Sequence, residues 1–209
     1  MNERSFIEKK RNNLISPEVD STQQKIIQAA HDLFIAQGYH GTSVRAVAAQ
    51  AEIALGGIYN HFDSKEDLFV AVLEAYHPYH QMVPVLESAQ GETVEAYVEN
   101  AARSFVELLQ NQPNFLNLMF IEVVEFDNRH IPHLVDQFAP HVLGIVASFA
   151  QHQSDLRQVP LPIIVRAFLG FFYSYIMIET MLGESLMPEL RQNALEHTID
   201  IFLHGIVED

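Results

Sequence analysis

Three pairs of side chains in this 209-residue chain have a spacing that metal sites use. His77 and His80, Glu122 and Glu125, and His130 and His133 are each three residues apart, so on a helix each pair shares a face. Tyr76 stands beside the first pair. Imidazole and carboxylate ligands so arranged could hold a divalent transition metal. Eleven histidines in a helical chain, however, produce such pairs by chance, and no HExxH or equally specific arrangement is present. Cysteine is absent, which removes thiolate and disulfide chemistry. No nucleophile, base and acid can be assembled either. The chain is therefore read as having no catalytic residue, no metal ligand and no cofactor.

A different chemistry is legible in residues 42–67, TSVRAVAAQAEIALGGIYNHFDSKED. Thr42 can cap a short amphipathic helix, Ser43–Gln50, and Ala51–Glu52–Ile53 forms a tight connection to a second short helix, about Ala54–His61. Ser64 then caps a third helix, with Asp67 as its capping-box partner. Two short helices joined by three or four residues make a helix-turn-helix, whose second helix can enter the major groove of DNA.

The elements that must hold this unit show helical periodicity. Ile26, Ile27, Ala30, Leu33 and Phe34 form one stripe that Gly38 can end, and Val44, Val47, Ala48, Ile53 and Ile58 can meet it. From Ser64 onward Leu68, Phe69, Val72, Leu73 and Tyr76 recur on one face. After Pro84 or Gly91 further helices are expected near 92–110, 114–126, 131–153, 161–181 and 189–206, with Pro113, Pro132 and Pro188 in first turns. No sustained strand alternation occurs, so the fold class is all-α. The domains expected are an arm (1–20), a helix-turn-helix head (21–67) and a larger helical domain (68–209). Lys9–Lys10–Arg11 could bring the arm to phosphates or a minor groove; the plainer reading is a solvated lead-in.

The stretch 161–178, LPIIVRAFLGFFYSYIMI, is the most apolar. Arg166 leaves 12 uncharged residues from Ala167 to Ile178, too few at about 1.5 Å each to cross about 30 Å of hydrocarbon, so no membrane span is expected. A helix apolar nearly all round is instead buried on several sides. With Leu190, Ala194, Ile199, Phe202 and Ile206 of the last helix it could form a four-helix homodimer interface. The start of the chain has no secretory pattern, which together with the missing cysteines suits a cytoplasmic protein. The net charge of −15 argues against DNA binding by the whole surface. Residues 1–75 carry seven Lys or Arg against ten Asp or Glu, and the remainder five against seventeen, so the acidity lies mainly outside the head.

The run from Thr22 to about Leu73 resembles the DNA-binding domain of the TetR family of bacterial transcriptional regulators. The most specific pieces are Gly38–Tyr39 after a small-apolar helix, the Thr42–Ser43–Val44–Arg45 start, and Gly56-x-Ile58-Tyr59-x-x-Phe62-x-x-Lys65-x-x-Leu68. Residues 74–209 resemble the family only in length, helical character and an apolar penultimate helix. The resemblance implies homodimers that bind double-stranded operator DNA and a small-molecule effector. It places Thr42 and Arg45, with Ser43, near the DNA backbone, and Leu55 and Gly57 in the groove. Tyr59 and His61, with Asn60, approach phosphates, and Lys65 meets another phosphate at a helix N-terminus.

Four positions depart from the family pattern: Glu52 replaces a usual Gly, Ala54 a capping Ser or Thr, Leu55 a frequent Lys and Gly57 a frequent Thr. Few polar groups remain to read bases, so modest affinity is expected, with selectivity from backbone fit, dimer spacing and DNA shape. For the effector, an apolar cavity with a few polar groups is expected among the aromatics of the larger domain, at Tyr76, Met119, Phe120, Glu122, Phe168, Phe172 and Tyr175. The reading is a ligand-responsive repressor released by a small, largely apolar effector. Its rival is a helical small-molecule-binding protein whose head reads DNA weakly or not at all.

Overall fold

The computed structural model describes residues 21–150 and 156–206, apart from the side chains of 80, 113, 137–142, 148 and 184. The arm with Lys9–Lys10–Arg11, and positions 151–153 of the helix expected over 131–153, lie outside the described residues. All regular elements described are helical: α1 Ser21–Gly41, α2 Val44–Gln50, α3 Leu55–Ile58, α4 Lys65–Tyr76, α5 Tyr79–Ser88 and α6 Val94–Gln110. They continue with α7 Pro113–Phe126, α8 Ile131–Ala150, α9 Leu161–Leu182, a short 3-10 turn, α10 Pro188–Arg191 and α11 Ala194–Ile206. The residues group into two compact units. One runs to His77 and includes Asn114–Leu134; the other comprises Pro78–Pro113 and the chain from Val135. The unit containing the head thus takes in α4 and most of α7, beyond the 21–67 expected for the head alone.

In the first unit α1 packs on α2 and α4, and α2 on α3. The stripe residues Ile26, Ile27, Ala30 and Phe34 are buried against Val47, Ala48, Ile58, Leu68, Phe69, Val72 and Leu73. Gly38 interrupts α1 at φ 74, ψ 172, a conformation open mainly to glycine. The side chain that caps α2 is Ser43, not Thr42: its Oγ accepts from the Ala46 amide at 3.1 Å. Thr42 is buried and donates instead to the Gly38 carbonyl at 2.8 Å, so α2 begins one residue later than expected. Ser64 caps α4 as expected, accepting from Asp67 N at 3.0 Å. The recognition segment is regular helix only over Leu55–Ile58; Tyr59–His61 continue as turn.

In the second unit α6 buries Val94, Tyr97, Val98, Ala101, Ala102, Phe105, Val106 and Leu109, a stripe of three- and four-residue steps. It packs on α5, α9 and α11. Helix α5 is not among the helices expected from the sequence. Its Pro84 lies inside the helix, removing one N–H, while Tyr79, Val83 and Leu86 are buried around it. The last helix is two, because Asn193 adopts φ 54 between α10 and α11. The length argument against a membrane span also fails as stated: α9 has 22 residues, and it is long and apolar enough to cross by length and composition. Its Ile164, Val165, Phe168, Phe172 and Ile176 are buried in the second unit, but Ile163, Phe171, Ile178 and Met181 are exposed, so the expected burial on several sides is not met within one chain.

Glu52, where the family pattern carries Gly, stands in the left-handed region at φ 59. A side chain there costs about 1 kcal/mol that glycine avoids. Glu52→Gly is expected to raise the stability of the chain by about that amount, seen as a higher thermal midpoint; an unchanged or lower midpoint would show that the turn is unstrained.

Candidate nucleic-acid interface

The proposed DNA-facing residues sit on a scaffold made by their neighbours. Ile58 and Phe62 are buried, whereas Leu55 before them and Tyr59 and Asn60 between them face outward. Leu55 and Tyr59 are 44% and 53% exposed. Arg45 and Ser43 are exposed on and before α2, Gly57 is half-buried, and His61 is half-buried with its ring 6.5 Å from that of Phe62. Thr42 is withdrawn from the surface by its bond to Gly38. Ala54 at the start of α3 makes no side-chain cap. Neither Gly56 nor Gly57 is forced by its surroundings: a Cβ on Gly56 would meet nothing within 4 Å, and one on Gly57 would touch Ile53 at 3.4 Å.

Lys65 has a different employment from the one the sequence suggests. Its ammonium donates to the carbonyls of Tyr39 and Thr42, both at 2.9 Å, and lies 4.0 Å over the Tyr39 ring. Burial pushes the lysine below its ordinary pKa, with Glu125 acting in the opposite direction. The Tyr39 hydroxyl is pushed up, first by burial and then by Glu66 and Glu125. Lys65 therefore ties the link between α1 and α2 to the start of α4, leaving one N–H for a phosphate.

The spaced pairs are likewise employed inside the fold. His77 follows α4 in extended backbone before Pro78, so it shares no helix face with His80; its ring meets Phe115 edge-on at 4.9 Å. Glu125 accepts from the Tyr39 and His40 amides at 3.2 and 3.0 Å. Glu122 accepts from His130, and His133 Nε2 lies 2.9 Å from Glu74. Among the described residues no group of three or more His, Asp or Glu could hold a metal. Glu66, Glu125 and His130 were not singled out as functional residues in the head; the Glu and His spacing was the available signal, but it gives no partner.

The residues proposed to line an effector cavity are distributed over both units. In the first, Tyr76 donates to Gln28 at 2.6 Å and stacks on His31 at 3.7 Å, Met119 is half-buried, Phe120 is 41% exposed and Glu122 is fully buried. In the second, Phe168 and Phe172 are fully buried with ring centres 4.8 Å apart, within a cluster that includes Phe105, Phe149 and Phe202. Tyr175 is half-buried, and burial, ahead of Glu179 and Glu196, pushes its hydroxyl up. A cavity of about 550 Å³ opens elsewhere, between α1 and the end of α2, lined by Gln24, Gln28, Asp32, Gln50 and Glu52 among others. Its walls, polar and apolar in about equal parts, contain none of the residues named for the effector.

A buried corner, a capped first helix and an outward-facing second helix define a helix-turn-helix DNA-binding protein. Residues 26–72 match the profile of bacterial regulatory proteins of the tetR family. Over 193 residues the chain is 21% identical to the uncharacterized HTH-type transcriptional regulator YvkB of Bacillus subtilis, covering 90% of this chain and 98% of that one. It is 36% identical to the HTH-type transcriptional regulator HbdR of an Aromatoleum strain over 67 residues, which is 32% of this chain and only 29% of HbdR. The fold is similar to that of NalD, the secondary repressor of the MexAB-OprM multidrug efflux pump in Pseudomonas aeruginosa, with TM-score 0.65, 21% identity and coverage of 90% and 96%. Residues 26–72 are thus a helix-turn-helix head of the tetR kind, on a chain similar over most of its length to a transcriptional regulator.

The internal role of Lys65 has a measurable consequence. Lys65→Ala is expected to lower stability by about 2 kcal/mol, the scale of losing hydrogen bonds from a charged donor. Chemical denaturation checks this; an unchanged midpoint would mean that the ammonium does not hold the corner.

Proposed function

We propose that the protein is a cytoplasmic homodimeric repressor that leaves its operator when a small, largely apolar effector binds. The observation that supports DNA reading best is the exposure of Leu55 and Tyr59 on a segment whose Ile58 and Phe62 are buried. Leu55 offers an apolar contact such as one to a thymine methyl, Tyr59 a hydroxyl on a rigid ring, and Arg45 a charge for the backbone. Two heads would enter major grooves about 34–36 Å apart, or a multiple of that.

A second copy is supported by α9 and α11. Ile163, Phe171, Ile178 and Met181 remain 38–64% exposed along α9, at seven- and eight-residue steps and then three, and Ile201 is 63% exposed on α11. Such a stripe is what a helix seam between subunits covers. Leu190, 57% exposed, stands on α10 apart from α11, whereas Ile199, Phe202 and Ile206 are already buried within the chain. The effector would act by binding one head spacing better than the other.

Selection of random duplexes by the purified chain at low salt tests the reading, with one palindromic sequence class expected to be enriched. Failure to enrich any sequence would favour the rival binding protein with a non-reading head. Arg45→Ala is expected to weaken all duplexes alike and to reduce the salt slope by about 1; a change in sequence preference alone would remove Arg45 from the phosphate contacts.

A further inference from the structure

The histidine pairs that resemble metal ligands in the sequence lead to a different device. His130 lies just before α8 and is held from three directions. Its amide donates to Glu122 Oε1 at 2.7 Å, its Nδ1 lies 2.8 Å from Glu122 Oε2, and its Nε2 lies 3.2 Å from Glu66 Oε1. Glu122 comes from α7 and is fully buried; Glu66 comes from the first turn of α4; the His130 side chain is 12% exposed. Phe69 of α4 and Phe126 of α7 flank the ring at 6.2 and 4.8 Å. Arg129 bonds Glu66 at 3.0 Å. Farther out, Glu125 is engaged by the Tyr39 and His40 amides, and Asp67 is exposed in the same turn as Glu66.

A neutral imidazole has one N–H, and only the imidazolium has two. Both ring nitrogens here face carboxyl oxygens, so with both carboxyls ionised the observed contacts are complete only when the ring carries both protons. Charge balance points the same way. Arg129 is spent on Glu66, so a neutral ring would leave the buried Glu122 carboxylate beside no counter-charge of its own, a costly arrangement. We propose that His130 is a proton-operated latch within the first unit: protonated, it ties α7 to the first turn of α4, and neutral, it lets one of them go. Its position gives it a consequence. Glu66 adjoins Lys65, which holds the Tyr39 and Thr42 carbonyls, so release loosens the corner from which α2 hangs.

The latch works within a pH window. The bond from His130, and then Arg129, hold the Glu66 carboxyl below its ordinary 4.5, burial opposing them. A carboxyl so lowered contributes stability above its unfolded value and loses it as pH falls through the folded one. The histidine contributes in the opposite sense, because its second bond needs a proton. That bond is present while the ring holds both protons and is lost as rising pH removes one. The contribution is therefore greatest between these two losses.

The inference is independent of operator recognition and is tested on the full chain by thermal unfolding from about pH 5.5 to 8.5. The midpoint of the unsubstituted protein is expected to exceed that of His130→Gln at both ends of the range, by about 5 °C more at the acid end than at the alkaline end. Glu66→Gln, at the more exposed end of the latch, also loses its bond to Arg129 at every pH, but its gap is expected to narrow with rising pH in the same sense, and it serves if His130→Gln does not fold. Hydrogen exchange at the amides of residues 65–68, corrected for its intrinsic pH dependence, is expected to quicken about tenfold over the range in the unsubstituted protein and not in the variants. A gap that is constant across the range, or that widens with rising pH, would overturn the proposal, since a merely structural bond is indifferent to the proton.

Discussion

The first unit depends on one corner. At Gly38 the chain takes a left-handed turn, and the next residues supply everything that aims the helix-turn-helix. The Tyr39 ring packs against Phe34, Phe69 and Phe126 at 5.6, 5.5 and 4.5 Å and carries the Lys65 ammonium on its face. Its amide and that of His40 point at Glu125, and its carbonyl receives Lys65. Helix α1 ends, α2 begins, α4 starts and α7 finishes within these contacts. A turn this short cannot satisfy its own backbone groups, and buried unpaired ones are costly. Glu125 and Lys65, one of each charge, meet that demand from two different helices.

The legible parts of the sequence were those in which one residue's role follows from its near neighbours. The stripe on α1, the Ser64 cap with Asp67 and the helix expected near 92–110 follow local patterns with a single solution. Reading failed where a local rule had two outcomes. Thr42 and Ser43 are both capping residues, and the choice fell to Ser43 because Thr42 could bond back to Gly38. Pro84 looked like an end and is inside a helix, its cost offset by the burial of Val83 and Leu86. Asn193 gave no sign that it would take a positive φ and divide the last helix.

The candidate site was legible in outline and illegible in its polar contacts. Which residues face outward follows from the alternation of Ile58 and Phe62 with Leu55 and Tyr59. That Lys65 bonds two carbonyls rather than waiting for a phosphate depends on Tyr39 and Thr42, more than twenty residues away in the chain. The carboxylates tell the same story over longer separations. Glu122 and Glu125 have helical spacing with each other, but their partners come from the α8 start and the α1 end, and no local pattern names them.

These internal assignments bear on how DNA can be held. The head carries few cations, and Lys65 is largely committed to the corner. Arg129 is bonded to Glu66. The recognition segment adds a leucine, two glycines and a tyrosine, none of which distinguishes bases by a bidentate pattern. Contacts of this kind fix position better than sequence. On the reading proposed above, selectivity would depend on where two such heads are placed together, and the rigidity of the corner would then matter more than any single side chain in the groove.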